Sequence, residues 1–165
     1  MPRVDKLSLF ESLKSQVRRD LETAVAAAKS TKEAATHEEA KPENDKDTRA
    51  IEASYLAGAQ GERVRELERT LAVLEALPTR DLGEEDVVSA GAVVWLAATT
   101  SREPDLICLF SPAGGGLRAE LDGLKLQVVT PKSPLGQAIL GAHVGDEVEV
   151  ELGRAVKGYE VKKLA

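Results

Sequence analysis

The chain is poor in the residues from which chemical cages and stacking surfaces are built. Its one cysteine, Cys108, sits in the apolar run Leu106–Phe110, so neither a disulfide framework nor a cysteine metal cage is available. That usage fits a reducing cytoplasm, the compartment expected here. Aromatic residues make up 3% of 165 positions and Trp95 is the single tryptophan, which argues against a base-stacking surface. No run of about 18 apolar residues occurs, so no membrane span is expected. Met1–Lys6 carries charge with no apolar run behind it, so no signal peptide is expected either. Positive charge is also short: the net charge is -6 and the isoelectric point about 5.1. Phosphate neutralisation needs a basic surface. Independent DNA binding is therefore not expected, and any role near nucleic acid runs through a protein partner.

What is present divides into two materials. Hydrophobic residues are 42% and charged residues 30% of the chain, a composition that folds. Residues 5–77 contain no glycine before Gly58 and one internal proline, Pro42. They are rich in Ala, Glu, Lys, Arg and Leu, the strong helix formers. Leu7, Phe10, Leu13, Val17, Leu21, Ala24 and Ala28 recur at helical spacing, followed by Ile51, Tyr55, Val64, Leu67, Leu71 and Leu74. The polar stretch His37–Asp47 separates the two series, and Asn44, Asp45 and Asp47 are candidate N-caps for the second helix. A short connection favours antiparallel neighbours. The expected helices are Asp5–Thr36 and Asp47–Leu77, each spanning roughly 45–50 Å at 1.5 Å per residue. Pro78 ends the second. The domain division read from this pattern is 1–78, a coiled-coil hairpin with an acidic tip near 38–47, and 79–165, a second domain.

After the linker Thr79–Asp86 the period changes. Val87–Leu96, Leu106–Phe110, Leu124–Thr130, Val148–Leu152 and Tyr159–Leu164 read as strands. Ser133 as N-cap and Pro134 at the first helical position open a short helix over Pro134–Leu140, closed by Gly141. Gly114–Gly116 and Gly145–Asp146 mark turns. The triple glycine lacks the Lys-Ser/Thr of a phosphate loop. The fold class is thus α+β: a two-helix hairpin followed by a small antiparallel β-rich domain with one short helix. Cys108 and Trp95 read as core residues, Tyr55 as core or seam, and neither His37 nor His143 has a sequence partner that points to catalysis.

Ser133–Val150, SPLGQAILGAHVGDEVEV, resembles the C-terminal signature of the Gre family (GreA/GreB) of bacterial transcription elongation factors, and Gly158–Val161 matches its last strand. The hairpin is similar in architecture and in the Glu43-Asn44 pair at its tip. The resemblance implies an FKBP-like C-terminal domain without isomerase activity. It implies docking on RNA polymerase core through Ser133, Pro134, Leu135, Gly136, Gly145 and Asp146. It also implies a hairpin that enters the polymerase secondary channel and assists cleavage of backtracked RNA at its 3′ end. The chain would then be no enzyme by itself, would act as a monomer, and would have no cofactor of its own, sharing the polymerase Mg²⁺ at the tip.

The tip chemistry follows independently. Two-metal hydrolysis of a phosphodiester needs a second Mg²⁺ and an oriented water, and Mg²⁺ takes one or two carboxylates with waters completing its shell. Glu38, Glu39, Glu43, Asp45 and Asp47 cluster here, interleaved with Lys41, Lys46 and Arg49. Glu43, Asp45 and Asp47 are the expected working carboxylates, with N-capping or simple solvation as their other reading. Where the family's cleavage pattern has an Asp, three residues before Glu43, this chain has Ala40. That departure leaves a channel-binding inhibitor as the alternative. A prolyl isomerase or chaperone is the reading from another class, weakened by the small supply of aromatics for a proline pocket.

Overall fold

The computed structural model of the chain describes residues 3–39, 47–100 and 102–165, the side chains of 35–39 and 47–57 excepted. Two long helices come first, α1 (Lys6–Glu39) and α2 (Asp47–Ala76). Helix α1 begins where Asp5 accepts hydrogen bonds from the Leu7 and Ser8 amides at 3.0 and 3.4 Å, the N-cap geometry that satisfies orphan donors. The hydroxyl of Ser8 donates to the same carboxylate. These bonds, the Ser8 pair foremost, hold the Asp5 carboxyl below its ordinary pKa. The helix passes the expected end at Thr36 and runs through His37 to Glu39.

The chain divides into two compact units. One holds Met1–Lys14 with Val73–Ala165; the other is Ser15–Ala72. The divisions fall inside both helices, away from Pro78. In the hairpin unit, Val17, Ala24, Leu67 and Thr70 are buried. Only a facing helix can cover them in a unit built from α1 and α2 alone. Exposed ion pairs on the outer face, such as Arg63–Glu66 at 2.8 Å, add only a few tenths of a kcal/mol each.

The other unit contains the sheet: β1 (Val93–Ala98), β2 (Leu106–Phe110), β3 (Arg118–Leu121), β4 (Leu124–Val129), the short helix α3 (Pro134–Ile139), β5 (Glu147–Leu152) and β6 (Ala155–Leu164). The strand order is β3-β4-β2-β1-β6-β5. Its pairings are antiparallel except one: β2 runs parallel to β4, with Cys108 opposite Gln127 and Phe110 opposite Val129. The intervening hairpin strand β3 makes this possible, because it carries the chain back before β4 starts.

Both faces of the central strands are covered, so β1 is buried from Val93 to Leu96. Such a strand reads as a continuous apolar run rather than an alternation. On one face Val94, Leu96, Cys108, Phe110 and Val161 pack with Ile139 of α3. On the other, Val93 and Leu109 are fully buried. The helix ends in the same unit bring Leu9, Phe10, Leu13, Leu74 and Leu77, all buried. Each such side chain contributes about 1.5–3 kcal/mol. Trp95 is buried, and the Lys163 ammonium lies 4.6 Å from its ring centroid, a cation–π contact. Burial pushes the Cys108 thiol up to about 12, which makes it a small hydrophobe rather than a nucleophile.

The strand expected from Val87 starts only at Val93. Gly91 has φ +87° and turns the chain, and a Cβ there would lie 2.7 Å from the Pro78 carbonyl oxygen. Val88 is nonetheless core: its amide donates to Ala142 O at 2.9 Å, and its carbonyl accepts from Gly141 N at 3.0 Å. The segment before Gly91 is also tied down. Lys6, nearly buried, donates to Arg80 O at 2.7 Å, and Arg80 grips Asp86 with two guanidinium nitrogens at 3.3 and 2.9 Å.

Among the described residues no helix is long and apolar enough to cross a membrane.

Candidate functional site

The expected site residues fall in two places. Of the tip set, Glu43 and Asp45 lie outside the described residues, as do Ala40 and Asn44. Asp47 is the first residue of α2, and its side chain is not described. The docking set, Ser133–Gly136 with Gly145 and Asp146, lies wholly in the sheet unit.

The first docking segment is a turn locked around one carbonyl. After β4 the chain reverses through Thr130–Ser133, and Ser133 N donates to Thr130 O at 3.0 Å. The Ser133 hydroxyl donates to the same oxygen at 2.8 Å and accepts the Gly136 amide at 3.0 Å. Ser133 is thereby the N-cap of α3, with Pro134 in the first helical turn. Gly136 is buried, and a Cβ on it would stand 1.8 Å from Thr130 O. No side chain fits that gap. Leu140 is the C-cap, and Gly141 follows with φ +76°, the left-handed position that ends helices.

The second segment is a tight turn leading into β5, the strand against which α3 packs. Gly145 has φ +93° and donates to Val161 O at 2.7 Å, while Val161 N donates to Asp146 O at 2.9 Å. The Asp146 carboxylate accepts the His143 amide at 2.8 Å, and His143 Nδ1 stands 3.7 Å from the same oxygen. His143 thus has a neighbour that the sequence did not show, within an exposed turn.

The six docking candidates therefore divide by what their groups face. Ser133 and Gly136 spend their side-chain and backbone groups inside the turn. Pro134, Gly145 and Asp146 are exposed, and Leu135 is half-buried. Beside Pro134 and Leu135 opens a mainly apolar cleft of about 480 Å³, whose walls include Gly116, Thr130, Lys132 and Leu152. Leu152 is 45% exposed and Leu140 55%. An exposed leucine lining a mainly apolar cleft, as Leu152 does, suits the apolar centre of a protein interface better than a small-molecule pocket. The sequence pattern places Leu152 in a half-buried strand and does not disclose its exposure beside the cleft. Its only signal is position: Leu152 ends β5, where the neighbouring hairpin turn leaves it uncovered.

Among the described residues no group of three or more His, Cys, Asp or Glu side chains could hold a metal ion.

Comparison with known proteins bears on the same region. The family model for "Transcription elongation factor, GreA/GreB, C-term" matches residues 83–165. A transcription elongation factor GreA of Alkaliphilus oremlandii is 32% identical over 103 residues, 62% of this chain; the chain spans only 60% of that relative's length. The GreA of Xanthomonas axonopodis pv. citri is 27% identical over 156 residues, covering 94% of this chain and 88% of the relative. Among solved structures, the GreA factor homolog 1 (Gfh1) of Thermus thermophilus is 22% identical, covering 94% of each chain with a TM-score of 0.39. The GreA/GreB factor of Nitrosomonas europaea is 18% identical and covers 72% of this chain and 95% of that one, with a TM-score of 0.34.

Proposed function

Because the chain belongs to the GreA/GreB family of transcription elongation factors through residues 83–165, we propose that it is an accessory factor of RNA polymerase core. In this reading the sheet unit docks on the polymerase. The hairpin connection enters the secondary channel and stimulates the polymerase's own cleavage of backtracked RNA. The observation that carries it is the family match on the domain, joined to a helical hairpin whose connection holds Glu43 and Asp45 and whose second helix opens at Asp47.

The exposed Pro134, half-buried Leu135 and the cleft beside them supply docking contacts, and the exposed Gly145 and Asp146 supply others from the turn before β5. Ser133 and Gly136 act one step back, by holding Pro134 and Leu135 in place. At the tip, Glu43, Asp45 and Asp47 would offer the hard oxygen donors that Mg²⁺ takes. The metal is the polymerase's, shared, and supplies the charge neutralisation of two-metal hydrolysis. The tip contacts the backtracked RNA 3′ end; the chain itself is a cytoplasmic monomer without a cofactor and catalyses nothing alone.

Ala40 favours a second reading, a channel-binding inhibitor on the same scaffold. Cleavage of RNA in stalled, backtracked complexes separates the two. The wild-type chain is expected to accelerate cleavage, and Glu43→Ala and Asp45→Ala to abolish that effect without loss of fold or of polymerase binding. Slowed cleavage or nucleotide addition establishes the inhibitor, and Ala40→Asp is then expected to restore stimulation. A chain that neither binds core polymerase nor alters any transcription readout sinks both. A peptide isomerisation assay is expected to show no activity.

A further inference from the structure

Glycine inside a helix normally answers a need, either a close approach of another backbone or a positive φ. Gly58 and Gly61 of α2 answer neither. Both have ordinary helical backbone, outside the positive-φ set. A Cβ on Gly58 would meet nothing within 4 Å, and one on Gly61 would meet only the end of Arg65 at 3.7 Å. Alanine fits at both positions, and each glycine weakens helix formation about fivefold relative to alanine.

The seam around them is weak as well. Near the sheet unit, the hairpin unit is closed by Val17 and Leu67, both buried. Among the described side chains from there toward the connection, Ala24 is the buried apolar one, while Leu21, Ala27, Ala28 and Val64 are half-buried. On α1 the Thr31 hydroxyl donates back to Ala27 O at 2.9 Å, as the Thr23 hydroxyl does to Arg19 O at 3.1 Å, bonds of the kind that compete with a helix ladder.

We infer that Gly58–Gly61 is a built-in yielding point of the hairpin. There the arms bend or part locally while the stretch closed by Val17 and Leu67 stays paired. Local opening of this kind needs few buried apolar contacts and a low helix propensity; the glycines supply the second, and among the described side chains of residues 18–34 and 58–66 only Ala24 is a buried hydrophobe. The inference concerns mechanics and stands whether or not polymerase is the partner.

Amide hydrogen exchange on the full chain tests it. In the wild type, protection is expected to step down along α2 between Leu67 and Gly58. Gly58→Ala combined with Gly61→Ala is expected to slow exchange of the amides from Asp47 to Gly61 by about 25-fold, about fivefold per glycine. Exchange over Leu67–Ala76 and in the sheet should stay as it was. No step in the wild type, no slowing in the double variant, or slowing spread equally over α2 and the sheet each overturns the inference. The alanines favour the helix, so misfolding does not obscure the outcome.

Discussion

Ser133 and Gly136 show how much one oxygen atom can decide. Thr130 O accepts both the Ser133 amide and the Ser133 hydroxyl, and it also occupies the space a Cβ of Gly136 would need. The two residues are expected to respond differently to substitution. Ser133→Ala removes one cap bond and should cost about 1 kcal/mol. Gly136→Ala must push backbone apart in a buried turn, since the obstructing atom is a carbonyl and not a yielding side-chain end; a loss of about 2–3 kcal/mol is expected. Urea unfolding of both variants checks the order, and a Gly136→Ala no worse than Ser133→Ala refutes the close-approach argument. Gly141 and Gly145 are constrained by φ alone and have open space around them.

Among the elements, the segment from Thr79 to Asp86 is more fastened than a linker composition suggests. The Arg80 guanidinium, then the Gly83 amide at 2.8 Å, hold the Asp86 carboxyl below its ordinary value of 3.8. A depressed carboxylate pKa means the unfolded chain takes up protons before the folded one. This contribution is therefore complete above the ordinary carboxylate value and is lost as pH falls through the lower folded value. Unfolding measured at neutral pH and near pH 3 is expected to show a smaller acid loss for Asp86→Asn than for the wild type, and equal losses refute it. The elements also differ in how far the sequence disclosed them. Both long helices were legible, because glycine and proline are scarce and apolar residues recur at their period. Strand β3, RAEL, was not: it is an edge strand of four residues, and its alternation is too short to read. The start of β1 was misplaced because Val87 and Val88 look like strand residues, while Gly91 turns the chain just after them. The parallel β2–β4 pair depends on which distant segments meet, which local pattern does not encode. Of the candidate site, the docking turn was legible through its cap residues, whereas the exposure of Leu152 depends on neighbours far along the chain.

At the scale of the whole molecule, the proposed docking residues and the proposed tip residues belong to different stretches of chain, so binding and effect should be separable. Leu152→Asp puts a charge beside the apolar cleft at a position 45% exposed, where the fold tolerates it. It is expected to weaken polymerase binding about tenfold, equivalent to roughly 1.4 kcal/mol, with an unchanged circular dichroism spectrum. Glu43→Ala should leave that affinity as it was. Leu152→Asp binding with wild-type affinity removes the cleft from the interface. The Ser133–Gly136 turn has a consequence for heredity as well as for mechanics. Its residues are held in place by the space inside the fold, and that requirement is the same whatever the far end of the hairpin does. Under the proposed function, a change at residue 40 would alter the effect on the partner and leave the packing requirement of the turn as it is. The pattern by which such chains are known for kin is a record of their carpentry, and their trade has to be learned from the tip.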